Sequence, residues 1–328
     1  MKKIKTGILG VGKYLPENIL TNADLERMVD TTDEWITTRT GIKQRRIAAD
    51  NEATSDMAAK AAKSALSAAG LEAKDIDLII VATITPDMFF PSTACILQDK
   101  LGARNVPAFD IAVACSGFIY GLTIADQFIR SGVYKKALVV AAEKLSAVTD
   151  WEDRSTCVLF GDGAGAAVLG PVEKGGILAA SLGSDGSKGD LLQLPAGGSR
   201  MPASFKTVEN KLHTIKMEGN VLFKYAVKIM ADAALSVTEP LGLKGDDIDI
   251  IIPHQANIRI LNALAKRMGV DPSKKVYLNI EKYGNMSAAS SAVALTEAVE
   301  EGRIKKGDII LMDAFGGGLT WGALLIEW

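Results

Sequence analysis

The run Asp75-Ile76-Asp77-Leu78-Ile79-Ile80 returns 172 positions later as Asp247-Ile248-Asp249-Ile250-Ile251-Ile252. A Gly-Leu pair precedes each copy at the same offset, Gly70-Leu71 and Gly242-Leu243. Further on, Ser131-Gly132-Val133-Tyr134-Lys135-Lys136 is echoed 170 positions later by Glu301-Gly302-Arg303-Ile304-Lys305-Lys306. Phe160-Gly161-Asp162-Gly163 resembles Phe315-Gly316-Gly317-Gly318 in the same way. The signals keep their order in both copies, and the period is too long for a solenoid. The chain therefore reads as one α/β unit used twice, with halves 1–172 and 173–328. The short apolar runs 78–81, 137–141, 248–252 and 309–312 lack alternation, as strands buried on both faces do. Stretches such as 55–69 and 222–238 carry a helical pattern between them. Strands alternating with helices predict α/β layers with covered sheets. No Pro/Ser linker separates the halves, so a continuous shared core is expected. The segment 181–217, rich in Gly, Ser and Lys, is predicted to be a long surface loop.

Composition narrows the function. A length of 328 residues suits two domains at roughly 150 residues each. With 48% hydrophobic and 23% charged residues, the chain is globular rather than disordered. Its 37 Lys and Arg against 39 Asp and Glu leave a formal net charge of -2, which argues against a dedicated nucleic-acid binder. The cysteines are Cys95, Cys115 and Cys157, with no C-x-x-C, and the histidines are His213 and His254. That speaks against a structural zinc or a haem attachment, and for a reducing compartment. No apolar run reaches the roughly 18 residues of a membrane span. Met1-Lys2-Lys3-Ile4 is basic, but Lys5, Gly10, Gly12 and Lys13 interrupt what a signal peptide would keep apolar, so a cytoplasmic protein is expected.

Three residues stand at positions suited to chemistry. Cys115 follows the strand-like 108–111 and precedes a helical segment of small residues. A thiol at a helix N-terminus is biased toward thiolate; the alternative is a buried apolar cysteine. Cys95, in an apolar helical pattern, and Cys157, in a strand-like 156–160, keep that second reading. His254 directly follows the second copy of the repeat, at the strand end where α/β folds carry ligand groups. Its proton state can change near neutrality, though a structural histidine remains the alternative. His213 lies in a polar stretch and reads as structural or exposed. Asn285 falls opposite Cys115 at the 170-residue offset, where it would cap the next helix or donate from its amide. If both helices point their N-termini to one centre, the set supplies a nucleophile, an imidazole and an amide donor.

The glycines are less specific. Gly161-Asp162-Gly163-Ala164-Gly165 precedes a strand rather than opening a helix, and Gly10-Val11-Gly12, placed after a strand, lacks a third glycine; neither is a dinucleotide fingerprint. Gly316-Gly317-Gly318 reads as a tight turn whose backbone N–H groups could face an oxyanion. Arg259, Lys266 and Arg267 share one helix side, either a solvated face or a dock for an anionic partner.

The chain resembles the β-ketoacyl-[acyl carrier protein] synthase III family of the thiolase superfamily, nearly end to end. The likeness rests on Asp33-Glu34-Trp35-Ile36 with Arg39-Thr40-Gly41-Ile42, Ala114-Cys115-Ser116-Gly117-Phe118, Phe160-Gly161-Asp162-Gly163-Ala164-Gly165-Ala166, Pro253-His254-Gln255-Ala256-Asn257, Gly284-Asn285-Met286-Ser287-Ala288-Ala289-Ser290, and Phe315-Gly316-Gly317-Gly318 with Thr320-Trp321-Gly322. The resemblance implies a thiolase-like α/β fold, a duplicated five-layered α-β-α-β-α arrangement with two mixed sheets. It implies that Cys115 accepts the acyl group, that His254 and Asn285 serve decarboxylation, and that the Cys115 and Gly317 N–H groups form an oxyanion hole. Trp35 and Arg154 would flank the adenine of coenzyme A, with Arg39 and Thr31 nearby and Asn220 and Asn257 along the pantetheine channel. Phe315 would pack near the thiol, and Phe90 would close the acyl pocket of a partner subunit in a homodimer. Lys224, Gln255, Arg259, Lys266 and Arg267 would meet the acidic carrier protein. Met286 stands where the family usually has Thr, a departure expected to affect packing rather than chemistry.

The activity so implied has two steps. Cys115 takes an acetyl or short branched acyl group from acyl-CoA. Malonyl-[acyl carrier protein] then loses CO₂, and the enolate, held by His254 and Asn285, attacks the acyl-cysteine. No metal or redox cofactor, nucleic acid or membrane is implied. Two other readings are a polyketide- or quinolone-type condensing enzyme with a different acceptor, and a non-catalytic acyl-CoA or carrier-protein binding module. Thiolases use a second cysteine near the C-terminus, and none follows Cys157.

Overall fold

The structure, a computed structural model, describes residues 4–328. Residues 1–3, which open the segment read as unlike a signal peptide, lie outside the described residues. Two mixed sheets organise the chain. The five-stranded sheet runs Lys5–Tyr14, Gly163–Val172, Ala137–Glu143, Leu78–Ala82, Ala108–Ile111. Its first two pairings are antiparallel and its last two parallel. The four-stranded sheet runs Ile250–Pro253, Ile309–Gly316, Thr320–Glu327, Gly176–Ser184, with one parallel and then two antiparallel pairings. The two copies of the opening motif take the same form. Each ends a 3-10 turn, Ala73–Asp75 or Gly245–Asp247, and enters a strand, Leu78–Ala82 or Ile250–Pro253. Ile79 pairs with Ala108, and Ile251 makes an isolated parallel bridge to Val276 where a fifth strand would lie.

Strand side chains alternate between faces, and here both faces are covered. Ile80 and Val139 of one sheet and Ile252 and Met312 of the other meet Phe118, Leu122 and Leu295 of the helices Gly117–Arg130 and Ala288–Glu300, which form the middle layer. The next residues along, Ile79 and Val81, face Met57, Ala61 and Leu97 of the outer helices Thr54–Ala68 and Thr93–Leu101. Ile251 and Leu311 face Leu222, Met230 and Leu264 of Gly219–Thr238 and Ile258–Met268. Five layers result, and the missing alternation in the strand sequences follows from them. Ala288–Glu300 is buried from Ala288 to Ala298; its small side chains let it lie between two sheets.

Four expectations are corrected. The segment 181–217 is not all loop: its first residues belong to the edge strand Gly176–Ser184, whose alternate residues are exposed. The rest contains the strand pair Leu192–Gln193 and Lys216–Met217 and the helix Phe205–Glu209. Gly10 and Gly12 lie inside a strand, where they make room for a helix: a Cβ on Gly12 would sit 2.3 Å from the Ala65 nitrogen. Cys157 ends a short helix, Arg154–Cys157, and Cys95 is exposed rather than buried. Among the described residues, no helix is long and apolar enough to cross a membrane.

Candidate active site

Three chain segments bring the chemistry together. After Ala108–Ile111, a 3-10 turn over Ala114–Ser116, with Ala114 at φ 45°, sets Cys115 ahead of the helix Gly117–Arg130. His254 follows Ile250–Pro253, its backbone N–H donating to the Asp313 carbonyl at 2.7 Å. Asn285 is fixed by an isolated bridge to Phe160 and precedes Ala288–Glu300. The two inner helices meet at their N-termini: a Cβ on Gly117 would lie 3.3 Å from the Ala288 Cβ.

The electrostatics depart from expectation at the thiol. Burial pushes the Cys115 thiol up to about 12. A helix N-terminus supplies only about 0.3–2 kcal/mol toward an anion, and desolvation outweighs it. The resting residue is a thiol. His254 is buried, both ring nitrogens lack a hydrogen-bond partner, and desolvation lowers its pKa to about 3. It is a neutral imidazole with a free N–H. Asn285 does not cap the following helix; Ser287 occupies that position and makes no side-chain cap bond. The Asn285 Oδ1 instead accepts the Ser287 N–H at 2.8 Å, which leaves its amide NH₂ for another acceptor.

Cys115, His254, Asn285 and Phe315 line one cleft of about 570 Å³, together with Trp35, Arg39, Asn220, Phe223, Lys224, Asn257 and Arg259. A second cavity of about 250 Å³ also reaches Cys115 and is lined mainly by apolar groups, among them Ile84, Leu145, Val148, Leu192 and Ile215, with Gly317. The thiol stands at the junction. The end of the strand Ile309–Gly316 presses on it: a Cβ on Gly316 would meet the Cys115 nitrogen at 2.7 Å.

At the outer end, the Trp35 ring carries two guanidinium groups, Arg39 at 5.0 Å and Arg154 at 4.9 Å. Arg154 donates to the Asp30 carbonyl at 2.7 Å; neither it nor Thr31 is among the cleft-lining residues. Asn257 caps Ile258–Met268 through the Arg259 N–H and donates to the Arg39 carbonyl at 3.0 Å. On the same helix, Arg259 lies over Phe223 at 5.1 Å, Lys266 is exposed, and Arg267 pairs with Asp232 at 2.8 Å.

The expectation for Gln255 is corrected. It is fully buried, its amide donating to the Pro253 and Tyr277 carbonyls and accepting from the Asn279 N–H, so it holds the His254 loop and has no surface to offer a protein. Phe90 is 85% exposed and lines neither cavity of its own chain. Met286 is buried against Leu15, Tyr283, Ala289 and Val293, away from the cleft lining. Sequence reasoning missed Glu143, Ser287 and Asp313, all buried. The available signal was a charge inside an apolar strand: Glu143 ends Ala137–Glu143, and Asp313 lies in Ile309–Gly316. Neither Asp313 carboxyl oxygen has a partner, and burial pushes this carboxyl far above the usual range.

The family models and the curated relatives agree on a family. The model of the 3-oxoacyl-[acyl-carrier-protein] synthase III family matches residues 109–186, and the model of its C-terminal part matches residues 239–328. The chain is 62% identical over 328 residues to the beta-ketoacyl-[acyl-carrier-protein] synthase III of Caldanaerobacter subterraneus, covering 100% of this chain and 99% of that protein. It is 59% identical to the Clostridioides difficile protein of the same name, over 99% and 98% of the two chains. Among solved structures, the 3-oxoacyl-[acyl-carrier-protein] synthase III of Aquifex aeolicus superposes with a TM-score of 0.91 at 53% identity, over 98% of this chain and 100% of that one.

Proposed function

We infer, from the premise that this chain belongs to the 3-oxoacyl-[acyl-carrier-protein] synthase III family, that Cys115 is the acyl-accepting nucleophile of an initiating condensing enzyme of fatty acid synthesis. The observation that carries the assignment is a thiol at the junction of two cavities, one long and polar-mouthed, the other short and apolar. Acyl-CoA enters by the first, its adenine held at Trp35, Arg39 and Arg154 near Thr31, its pantetheine passing Asn220 and Asn257. The acyl group lodges in the second, which has room for a short branched group as well as acetyl. Sulfur attacks the thioester carbon, the Cys115 and Gly317 N–H groups hold the oxyanion, and CoA departs.

A malonyl thioester on a carrier protein then takes the vacated cleft, guided by Lys224, Arg259, Lys266 and Arg267. As CO₂ leaves, negative charge gathers on the thioester oxygen. The neutral His254 N–H and the free Asn285 amide donate to it there, and donors whose bonds strengthen as charge develops lower the barrier. The enolate carbon attacks acyl-Cys115, and the thiolate leaves. These steps make and break only C–C and C–S bonds and need no metal or redox group. In this reading the half 1–172 brings the nucleophile and the half 173–328 the two donors. Two copies assemble as a homodimer, in which the partner's Phe90 closes the acyl cavity, and the enzyme works in the cytoplasm.

Intact-protein mass spectrometry after mixing with acetyl-CoA tests the assignment. An acetyl adduct on the wild type, absent from Cys115→Ala and discharged by malonyl-[acyl carrier protein], is expected. No adduct with acetyl-CoA or any branched acyl-CoA would sink it.

A further inference from the structure

Glu297 places a carboxylate inside the middle layer. It lies on the helix Ala288–Glu300, in a run buried from Ala288 to Ala298, and is itself 6% exposed. A carboxylate stripped of water persists only where donors replace the water it loses. Three groups do so. The Asn279 side-chain amide donates to Oε2 at 2.9 Å, the Tyr283 hydroxyl donates to Oε1 at 2.6 Å, and the Lys13 ammonium stands 3.8 Å from Oε1. Asn279 and Tyr283 are buried as well. Lys13 is shared with the more exposed Glu300.

The two neutral partners lead to different parts of the site. The Asn279 N–H donates to the Gln255 Oε1 at 3.1 Å, and the Gln255 amide donates to the Pro253 carbonyl at 2.9 Å and the Tyr277 carbonyl at 3.1 Å. Pro253 and Gln255 flank His254 in the chain. Neither His254 ring nitrogen has a hydrogen-bond partner, so backbone placement and packing aim the imidazole. Tyr283 ends the short helix Ile280–Tyr283 and stands two residues before Asn285. Gly284 between them takes φ 65° and ψ -155°, and a Cβ on it would meet the Leu159 carbonyl oxygen at 2.7 Å, so this turn has little room to shift. One carboxylate thus clamps both ends of the segment 279–283. One end lies beside the His254 loop, and Asn285 departs from the other. The set includes no residue of the turn Ala114–Ser116 that carries Cys115.

We propose that Glu297 is a positioning residue that sets the spacing of the two decarboxylation donors, a role that rests on the function inferred above. It acts on His254 through Asn279 and Gln255, and on Asn285 through Tyr283. Both donors must meet one thioester oxygen, and misplacement by about 1 Å can cost about a hundredfold in rate. Acylation of Cys115 uses neither donor, so the role is confined to the second half-reaction. The brace depends on the direction of its hydrogen bonds rather than on charge. In Glu297→Gln the side-chain oxygen still accepts the Tyr283 hydroxyl. The new amide meets the Asn279 Oδ1, a buried atom without a partner, once the Asn279 amide turns over.

Two single-turnover measurements test this in Glu297→Ala, Glu297→Gln and Tyr283→Phe. Rapid-quench mass spectrometry follows acetyl transfer to Cys115, and CO₂ release from malonyl-[acyl carrier protein] is then timed on the acetylated enzyme. In Glu297→Ala, CO₂ release should fall about a hundredfold while acetyl transfer changes less than about threefold. Glu297→Gln should recover most of that loss. Tyr283→Phe, which removes one oxygen and cuts only the Asn285 arm, should slow CO₂ release about tenfold, and it carries the test if Glu297→Ala does not fold. Combined with Glu297→Ala it should add no further loss, because Tyr283 acts through Glu297. CO₂ release at the wild-type rate in Glu297→Ala or Tyr283→Phe overturns the brace. So does an equal loss of both half-reactions, which marks a structural role, or a Glu297→Gln as slow as Glu297→Ala. A wild type that accepts no acetyl or branched acyl group, or that is acylated and releases no CO₂, overturns the functional reading itself, and so is distinct.

Discussion

In the proposed mechanism Asn285 and His254 donate to the same oxygen, but they should fail differently when changed. Asn285→Ala removes one aimed donor, a loss of about 10²–10³ in decarboxylation rate. Acylation of Cys115 by acyl-CoA should survive, and single-turnover measurements of the two steps check this. His254 adds a stability signature. Unfolded, it binds a proton below about 6.5; folded, burial delays protonation to about 3. Between those values the unfolded state holds the extra proton, so His254 lowers stability as pH falls, by about 3 kcal/mol at pH 4. Glu143 and Asp313, whose carboxyls are pushed up, act in the opposite sense. The His254 share is therefore read as a difference: His254→Asn should lose less stability than wild type between pH 6.5 and 4 in urea titrations. At this scale the sequence identified candidates by their junction positions, and burial then decided their protonation.

At the scale of elements, contact between backbones is the constraint. The strand Lys5–Tyr14 lies so close under Thr54–Ala68 that a Cβ on Gly12 would come within 2.5 Å of the Ala61 carbonyl oxygen and 2.3 Å of the Ala65 nitrogen. These are backbone atoms and cannot turn aside as a side chain can. Gly12→Ala should therefore cost about 3 kcal/mol, the upper end for overpacking, read as a lower urea midpoint. Gly316→Ala presses on Cys115 itself, 2.8 Å from its Cβ. It should slow acylation more than it lowers stability, and comparing the acylation rate with the urea midpoint separates the two effects. Strands and helices of the repeat were legible because both faces of each strand are covered, leaving uninterrupted apolar runs. The edge strand Gly176–Ser184 was not legible, because small Gly, Ala and Ser residues make up most of it and it has no run of β-branched residues.

For the molecule as a whole, the apolar groups left at the surface matter most. Phe89 is 81% exposed and Phe90 85%, with Met88 beside them at 49%. Such a run in water costs too much to leave uncovered by chance, which supports the proposed dimer. Sedimentation equilibrium should give twice 34.7 kDa, and Phe90→Asp should shift the protein toward monomer and slow turnover. Tyr277 and Tyr283 do not bear on this; they are buried within the fold.

The duplicated α/β unit, its strands and inner helices, and the junction positions of Cys115, His254 and Asn285 were determined by the sequence alone. Local periodicity and a repeated order of short motifs suffice for those features. Only the tertiary structure decided that the thiol rests protonated, that Asn285 braces a turn instead of capping a helix, that Gln255 is buried, and that Ser287 lines a cavity with the nucleophile. Each of these depends on desolvation or on contact between segments far apart in the chain. A residue's neighbours in sequence carry no record of how much water the fold removes from it.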